Sequence, residues 1–329
     1  MTRSNTAIRL VSTKEINREQ WLEVRKQGLG SSDAAAAVGL NPYQSQLELW
    51  LIKTGRDADL AKPDATDESS PMYWGNILEP IVAAHYTKHS GHKVRRINAV
   101  LQHPESAKSW MLANLDYAVL GAEDVQILEC KTAGEFGARL WREGVPEYVQ
   151  CQVQHQLAVT DKQAADVCVL ICGQEIKIHR IERDEALITK LIELERRFWH
   201  YVLTDTPPPA DGSESAGVAL RYLYPYDTGN TLDLSEDAEA SAMFSELLQV
   251  RVQADDYKKR EDFLRQCLQQ RMGDASKASF ANGSISWKRS KDSVGLDTAT
   301  LLQERPELLK QYALTRAGSR RFLVQSQNS

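Results

Sequence analysis

Two apolar runs separated by a short Gly/Asp turn occupy the middle of the chain and set what it can fold into. Trp110-Met-Leu-Ala-Asn-Leu-Asp116-Tyr-Ala-Val-Leu is followed by Gly121-Ala-Glu-Asp124 and then by Val125-Gln-Ile-Leu-Glu129-Cys-Lys131-Thr. Apolar runs bracketing such a turn predict a β-hairpin. Side chains alternate across a strand, so Val125, Ile127, Glu129 and Lys131 share one face, and Gln126, Leu128 and Cys130 share the other. Asp116, on the partner strand, can be brought opposite Glu129 and Lys131. Two carboxylates converging on one point do not both stay ionised unless a cation lies between them. Oxygen ligation by one or two carboxylates suits magnesium. Such an ion polarises phosphoryl oxygens and lowers the pKa of a bound water. A lysine alongside can offset developing negative charge or position the attacking water. The set is therefore suited to phosphodiester hydrolysis. Taken alone, however, Glu-x-Lys is more often a cross-strand ion pair on a solvated face, because surface charge is the norm.

The length of 329 residues suits one large domain or two. No apolar run approaches membrane-span length, and Met1-Thr-Arg-Ser-Asn leads into no signal-peptide core, so a cytoplasmic protein is expected. Five cysteines without metal-type spacing fit a reduced compartment, with Cys168 and Cys172 expected as buried apolar residues. A formal net charge of −5 does not advertise nucleic-acid binding. Its distribution says more: from Arg251 onward 15 Lys and Arg stand against 9 Asp and Glu, whereas the first 250 residues hold 25 against 36. A basic end on an acidic body fits a phosphate-tracking groove and simple solvation equally well.

Along the chain, residues 14–27 read as a helix, followed by Gly28-Leu-Gly30-Ser31-Ser32-Asp33 and an Ala-rich helix from Asp33 to Val38. Backbone N–H groups at that helix start, capped by Ser or Asp, favour an anion. With Arg25 upstream the segment reads either as a phosphate pocket of Arg25, Ser31 and Ser32 or as a plain N-cap. Residues 45–54 form an amphipathic helix ended by Gly55, and 56–70 a polar surface loop. A helix over 71–90 carries Trp74-Gly75 and Leu78-Glu79-Pro80, and one strand is expected through 98–101. Arg139, Trp141 and Arg142 lie in a loop that could approach DNA. A helix opened by Pro146 carries Gln152, Gln154 and Gln156, of which Gln152 and Gln156 share a face. A hairpin over 164–181 turns at Gly173-Gln174, and a helix over 184–203 ends at a triple proline. The C-terminal part differs in kind: a long charged helix over 235–272, a hairpin with a type I′ turn at Asn282-Gly283, a helix over 298–312, and a basic strand over 316–324.

With these pieces in order, the chain resembles the lambda exonuclease family, most closely its YqaJ-like phage recombinase branch. The match covers residues 21–206, with a less diagnostic likeness at Trp287-Lys288 and Ser319-Arg-Arg-Phe322. Trp21, Arg25 and Gly30-Ser-Ser32-Asp33 match the N-terminal motif that grips a 5′-phosphate. Trp74-Gly75 and Leu78-Glu79-Pro80 match the helix motif whose Glu sits by the metals. Asp116, Glu129 and Lys131 match the metal and catalytic signature, with Cys130 at the position whose backbone carbonyl also binds metal. Gln152-Val153-Gln154 matches the helix glutamine motif, and Gln152 is taken as its catalytic member. Asp116 departs from the pattern in lacking the Pro before it and the Gly after it.

The resemblance implies an α/β, restriction-endonuclease-like PD-(D/E)xK core over residues 1–206, with a mixed central β-sheet between helices. A linker over 207–234 and a helical plus β-hairpin extension over 235–329 complete the expected organisation. It implies a 5′-to-3′ exonuclease that degrades one strand of linear duplex DNA and leaves a 3′ single strand. Two Mg2+ ions, with Mn2+ as substitute, would be the cofactors. Expected partners are DNA ends, two further copies in a ring-shaped homotrimer, and a phage single-strand-annealing protein, with no membrane. The same residues allow two alternatives: an endonuclease or nickase on this core, or a non-catalytic mediator that binds DNA ends.

Overall fold

The computed structural model describes residues 6–58, 60, 66–315 and 318–325. The chain divides into two units, Met1–Tyr224 and Pro225–Ser329.

The first unit opens with β1 (Ile8–Ser12), α1 (Arg18–Lys26), β2 (Leu29–Gly30), α2 (Ala34–Ala37) and α3 (Gln46–Lys53). Next come α4 (Pro71–Ser90), β3 (Lys93–Arg96), β4 (Ala99–Gln102), β5 (Met111–Ala113), β6 (Tyr117–Leu120) and β7 (Ile127–Ala133). It closes with α5 (Glu135–Ala138), α6 (Glu147–Thr160), β8 (Ala164–Ile171), β9 (Glu175–Glu182), α7 (Glu185–Leu203) and α8 (Glu214–Leu223). Strands β3-β6-β7-β8-β9 form one sheet and β1-β4-β5-β2 another. Each is mixed: β7 runs parallel to β8, and β2 parallel to β5, while the other pairs are antiparallel.

The parallel β7–β8 pair needs a crossover, and α6 supplies it. Both faces of the larger sheet are therefore covered. Ile127, Val167 and Val169 pack with Val149, Val153 and Leu157 of α6. On the opposite face Leu128, Cys168 and Leu170 pack with Val82, Ala83 and Tyr86 of α4. A strand buried on both sides reads as a continuous apolar run, and β8 is buried along its whole length.

The central hairpin forms as expected, with Tyr117 opposite Leu128 and Ala118 opposite Ile127. Its turn uses Gly121 at φ +74°, where a glycine meets no Cβ penalty. Alternation starts later than the sequence suggested. Val125 precedes β7 and packs with Leu128 rather than with Ile127.

Several boundaries differ from expectation for local reasons. Helix α1 begins at Arg18, because Asn17 and Gln20 form a reciprocal capping box; residues 8–12, unassigned from the sequence, form β1. The Ala-rich helix is a single turn, and Asp33 makes no capping bond to it. The strand expected through 98–101 is β4, and β3 before it belongs to the other sheet. Of the polar loop 56–70, residues 59 and 61–65 lie outside the described residues. Cys168 is buried as expected, but Cys172 is exposed at φ +51° in the β8–β9 turn. Within the expected linker 207–234, α8 forms and buries Ala216 and Ala219, and the division into units follows at Tyr224.

In the second unit α9 (Ala238–Met272) is followed by β10 (Lys277–Phe280), β11 (Gly283–Ser286), α10 (Thr298–Glu304) and α11 (Glu307–Gln311). Phe280 pairs with Gly283, so Ala281 and Asn282 are the turn residues. Neither takes positive φ, which excludes the expected type I′ turn. Pro306 divides the helix expected over 298–312, since residues before proline avoid the α region. Residues 318–324 form no strand, against expectation; 316 and 317 lie outside the described residues.

Candidate active site

The β6–β7 ladder ends after two pairs, and extending its register sets Asp116 against Glu129. The Asp116 carboxylate accepts the Cys130 backbone N–H at 2.8 Å. In an extended strand the N–H and C=O of one residue point to the same edge, so the Cys130 carbonyl lies on the Asp116 side.

Glu129 is 2% exposed and every bond to it comes from a named donor. Lys131 Nζ reaches Oε1 at 2.7 Å, and Gln152 Nε2 reaches the same oxygen at 2.6 Å. Gln156 Nε2 donates to Oε2 at 2.8 Å. Gln152 Oε1 in turn accepts from Lys131 Nζ at 2.9 Å. The i, i+4 spacing on α6 thus brings two amides to one carboxylate. Gln154 lies on another face, bonded to the Glu182 carbonyl and the Asp184 N–H.

Glu79 of α4 pairs with Arg96 at 3.0 Å. Pro80 beside it has no N–H, so the Asn76 carbonyl lacks its usual helical donor. Glu79, Asn76, Asp116, Glu129, Cys130 and Lys131 line one cavity of about 260 Å3.

Burial raises the Asp116 carboxyl well above the carboxylate range, and the Glu129 charge raises it further. Lys131 and the Cys130 N–H oppose this without cancelling it. Burial works to lower Lys131, but the Glu129 and Asp116 charges outweigh it and hold the ammonium form. Burial and the same carboxylates push the Cys130 thiol up, so it stays neutral, and its backbone is the part able to act. The site is short of positive charge at Asp116, and that deficit is what a divalent cation supplies. Among the described residues no three His, Cys, Asp or Glu side chains stand close enough to form a closed metal cage. A cavity lined by the Glu79, Asp116 and Glu129 carboxylates and bordered by the Cys130 carbonyl instead fits magnesium, which keeps several waters.

A second cluster stands at the β2–α2 junction. Arg25 Nη2 lies 2.7 Å from both Ser32 Oγ and Asp33 Oδ1. Asp33 also takes Lys53 Nζ at 2.7 Å and the Gly30 N–H at 3.0 Å. Burial works to raise the Asp33 carboxyl, but Arg25 and Lys53 outweigh it and hold it well below the usual range. Burial lowers Lys53. Arg25 also lies over Trp21, 4.9 Å from its ring centre. Its Nε is buried with no protein partner among the described residues. Ser31 is buried beside it.

The sequence missed three supports. Lys53 closes an apolar helix, and that context was its available signal. Gln156 was named without being chosen. The third is His155, fully buried, with Glu195 Oε1 at 2.8 Å from Nδ1 and the Leu112 carbonyl at 2.9 Å from Nε2. Burial works to lower the ring's pKa, but Glu195 and the Leu112 carbonyl outweigh it and raise it, favouring the form that donates from both nitrogens. It ties α6, between Gln152 and Gln156, to α7 and β5. Conversely Trp141, expected near DNA, is buried, while Arg139 and Arg142 are exposed.

Residues 20–163 match the YqaJ-like viral recombinase domain. A Bacillus subtilis (strain 168) protein described as uncharacterized protein YqaJ is 34% identical over 283 residues, spanning 85% of this chain and 86% of that protein. The chain belongs to the YqaJ-like viral recombinase family. It is also similar to a solved alkaline exonuclease, LHK-Exo from Laribacter hongkongensis, at 23% identity and a TM-score of 0.46. That match covers 57% of this chain and 93% of the other. A phage-related exonuclease from Haemophilus somnus 129PT is similar at 11% identity, 54% and 96% coverage, and a TM-score of 0.36. The YqaJ-like chain carries no helix, among its described residues, long and apolar enough to cross a membrane.

Proposed function

We propose that this YqaJ-like chain is a magnesium-dependent 5′-to-3′ exonuclease on a PD-(D/E)xK core, degrading one strand of linear duplex DNA to leave a 3′ overhang. The observation that carries the reading is the meeting of Asp116, Glu129 and Lys131 at one cavity, with Asp116 short of a cation. Asp116, Glu129 and the Cys130 carbonyl would hold magnesium or manganese, with Glu79 as a further ligand or orienter. When bound, such an ion supplies positive charge at the phosphoryl oxygens and makes a nearby water a better nucleophile.

The chain's own groups do the rest. Lys131, held as an ammonium, offsets charge that builds on the scissile phosphate and orients the attacking water. Gln152 holds Lys131 and Glu129 at once, so the two move as a unit. Gln156 fixes the other Glu129 oxygen. Arg25, Ser31 and Ser32 take the 5′-phosphate. Asp33 holds the Arg25 guanidinium in place and offsets its charge, and Lys53 anchors Asp33 and the Arg25 carbonyl.

A ring-shaped homotrimer around DNA, and transfer of the 3′ strand to a single-strand-annealing partner, complete the reading. Digestion of end-labelled linear duplex, with and without magnesium, tests it. Stepwise release of 5′ nucleotides only with the ion is expected, with closed circular duplex left intact. Nicking of the circle would replace the exonuclease by an endonuclease, and inertness on both would remove catalysis.

A further inference from the structure

The edge strand β3 borders a basic groove that this reading of the site does not use. Arg9, Lys14, Arg95 and Arg96 line one cavity of about 330 Å3 together with Ile97 and Asn98, and no carboxylate lines it. Arg9 and Arg95 continue into an adjoining cavity of about 410 Å3, where Lys162 adds a cation and Asp161 is the single acid. Among the described residues Lys14 and Arg95 make no ion pair, and Arg9 is held by a carbonyl, that of Asn98 at 3.0 Å. All four cations are exposed. A solvated surface cluster usually interleaves both signs. This one gathers four positive charges within a part of the chain where acids outnumber bases 36 to 25 over the first 250 residues. Mutual repulsion there is relieved by a bound polyanion.

Its position gives the groove a role. Neighbouring residues of a strand face opposite ways, so Arg95 and Arg96 straddle the β3 edge. Arg96 reaches Glu79, which lines the cavity of Asp116 and Glu129. One guanidinium therefore lines the groove and pairs with a carboxylate of the hydrolytic cavity, so a nucleic-acid strand in the groove would lie beside that cavity.

We propose that Arg9, Lys14, Arg95 and Arg96 form a phosphate track that holds the DNA backbone next to the hydrolytic cavity. The proposal rests on the nuclease reading and adds a binding surface to it. Phosphate contacts fix position without reading sequence, so the track serves an enzyme that must accept any sequence.

The test is binding of a fluorescent linear duplex by the full chain, in chelator so that nothing is hydrolysed, over a range of salt concentrations. K14A/R95A removes two exposed charges that hold nothing else in place, and K14Q/R95Q repeats the change with longer side chains. K190A/R197A, on the exposed face of α7, is the control for net charge. Losing two phosphate contacts on duplex DNA lowers the slope of log affinity against log salt by roughly 1.8. Taking 1 M salt as contact-free, that is a loss of about 60-fold at 0.1 M. With magnesium restored, both variants are expected to keep kcat and raise KM. A slope and affinity matching those of K190A/R197A would overturn the track alone. Absence of duplex binding by the unaltered chain would overturn the nuclease reading and the track with it.

Discussion

Asp116→Asn separates the cation deficit from every other feature of the site. Burial and the Glu129 charge raise the Asp116 carboxyl. The sign follows from linkage: a carboxyl that holds its proton more tightly when folded makes the fold less stable as pH rises from about 4 through the raised value. At pH 7 the metal-free protein carries that cost. Asparagine removes the charge and still presents an oxygen to the Cys130 N–H, so the local backbone keeps its bond. Metal-free D116N is therefore expected to be at least as stable as the wild type at pH 7, an unusual outcome for a half-buried, hydrogen-bonded position. Magnesium reverses the comparison. A ligand at 100 times its Kd stabilises by about 2.7 kcal/mol. For a unit the size of Met1–Tyr224, each kcal/mol moves Tm by roughly 2–4 °C. Wild type is expected to gain roughly 5–11 °C on adding magnesium, and D116N to gain almost none. Scanning calorimetry of both proteins at pH 5 and 7, with and without the ion, reads all four quantities. Full magnesium stabilisation of D116N, or metal-free wild type gaining on D116N between pH 5 and 7, would refute the reasoning.

Three further outcomes are expected. K131A removes the ammonium beside Glu129 and should lower the rate of magnesium-dependent hydrolysis at least 100-fold while leaving duplex affinity in chelator within a few-fold; unchanged cleavage would remove Lys131 from the reaction. R25A should reduce digestion chiefly on 5′-phosphorylated ends, compared by initial rates on matched duplexes; an equal fall on 5′-hydroxyl ends would refute the phosphate pocket. D33N leaves the buried Lys53 ammonium unpaired and should cost about 3–5 kcal/mol by denaturant unfolding. Because the Asp33 carboxyl is held low, its stabilisation is present above about pH 4 and lost below it, so D33N should also flatten the acid limb of the stability profile.

Much of the first unit was legible because its signals are local. The Gly121 turn, the period-2 runs either side of it, and the 71–90 helix between Ser70 and Gly91 are set by residues within a few positions of one another. The juxtaposition of Asp116 with Glu129 follows from the same hairpin. The shared face of Gln152 and Gln156 follows from helical period alone. What the helix faced did not: both amides reach Glu129 because α6 is the crossover between two parallel strands. Glu79 shows the same limit. The sequence placed it among apolar residues, and only packing of α4 on the sheet set it against Arg96 and the Asp116 cavity.

Taken by itself, the sequence determined the hairpin, the order of the helices and the side-chain types of the site, since backbone dihedrals and turn chemistry act over a few residues. Tertiary structure decided which charges are buried together: Asp33 with Lys53, and His155 with Glu195. Those pairs join residues 20 and 40 positions apart, and their protonation depends on how much water the packed chain excludes from each.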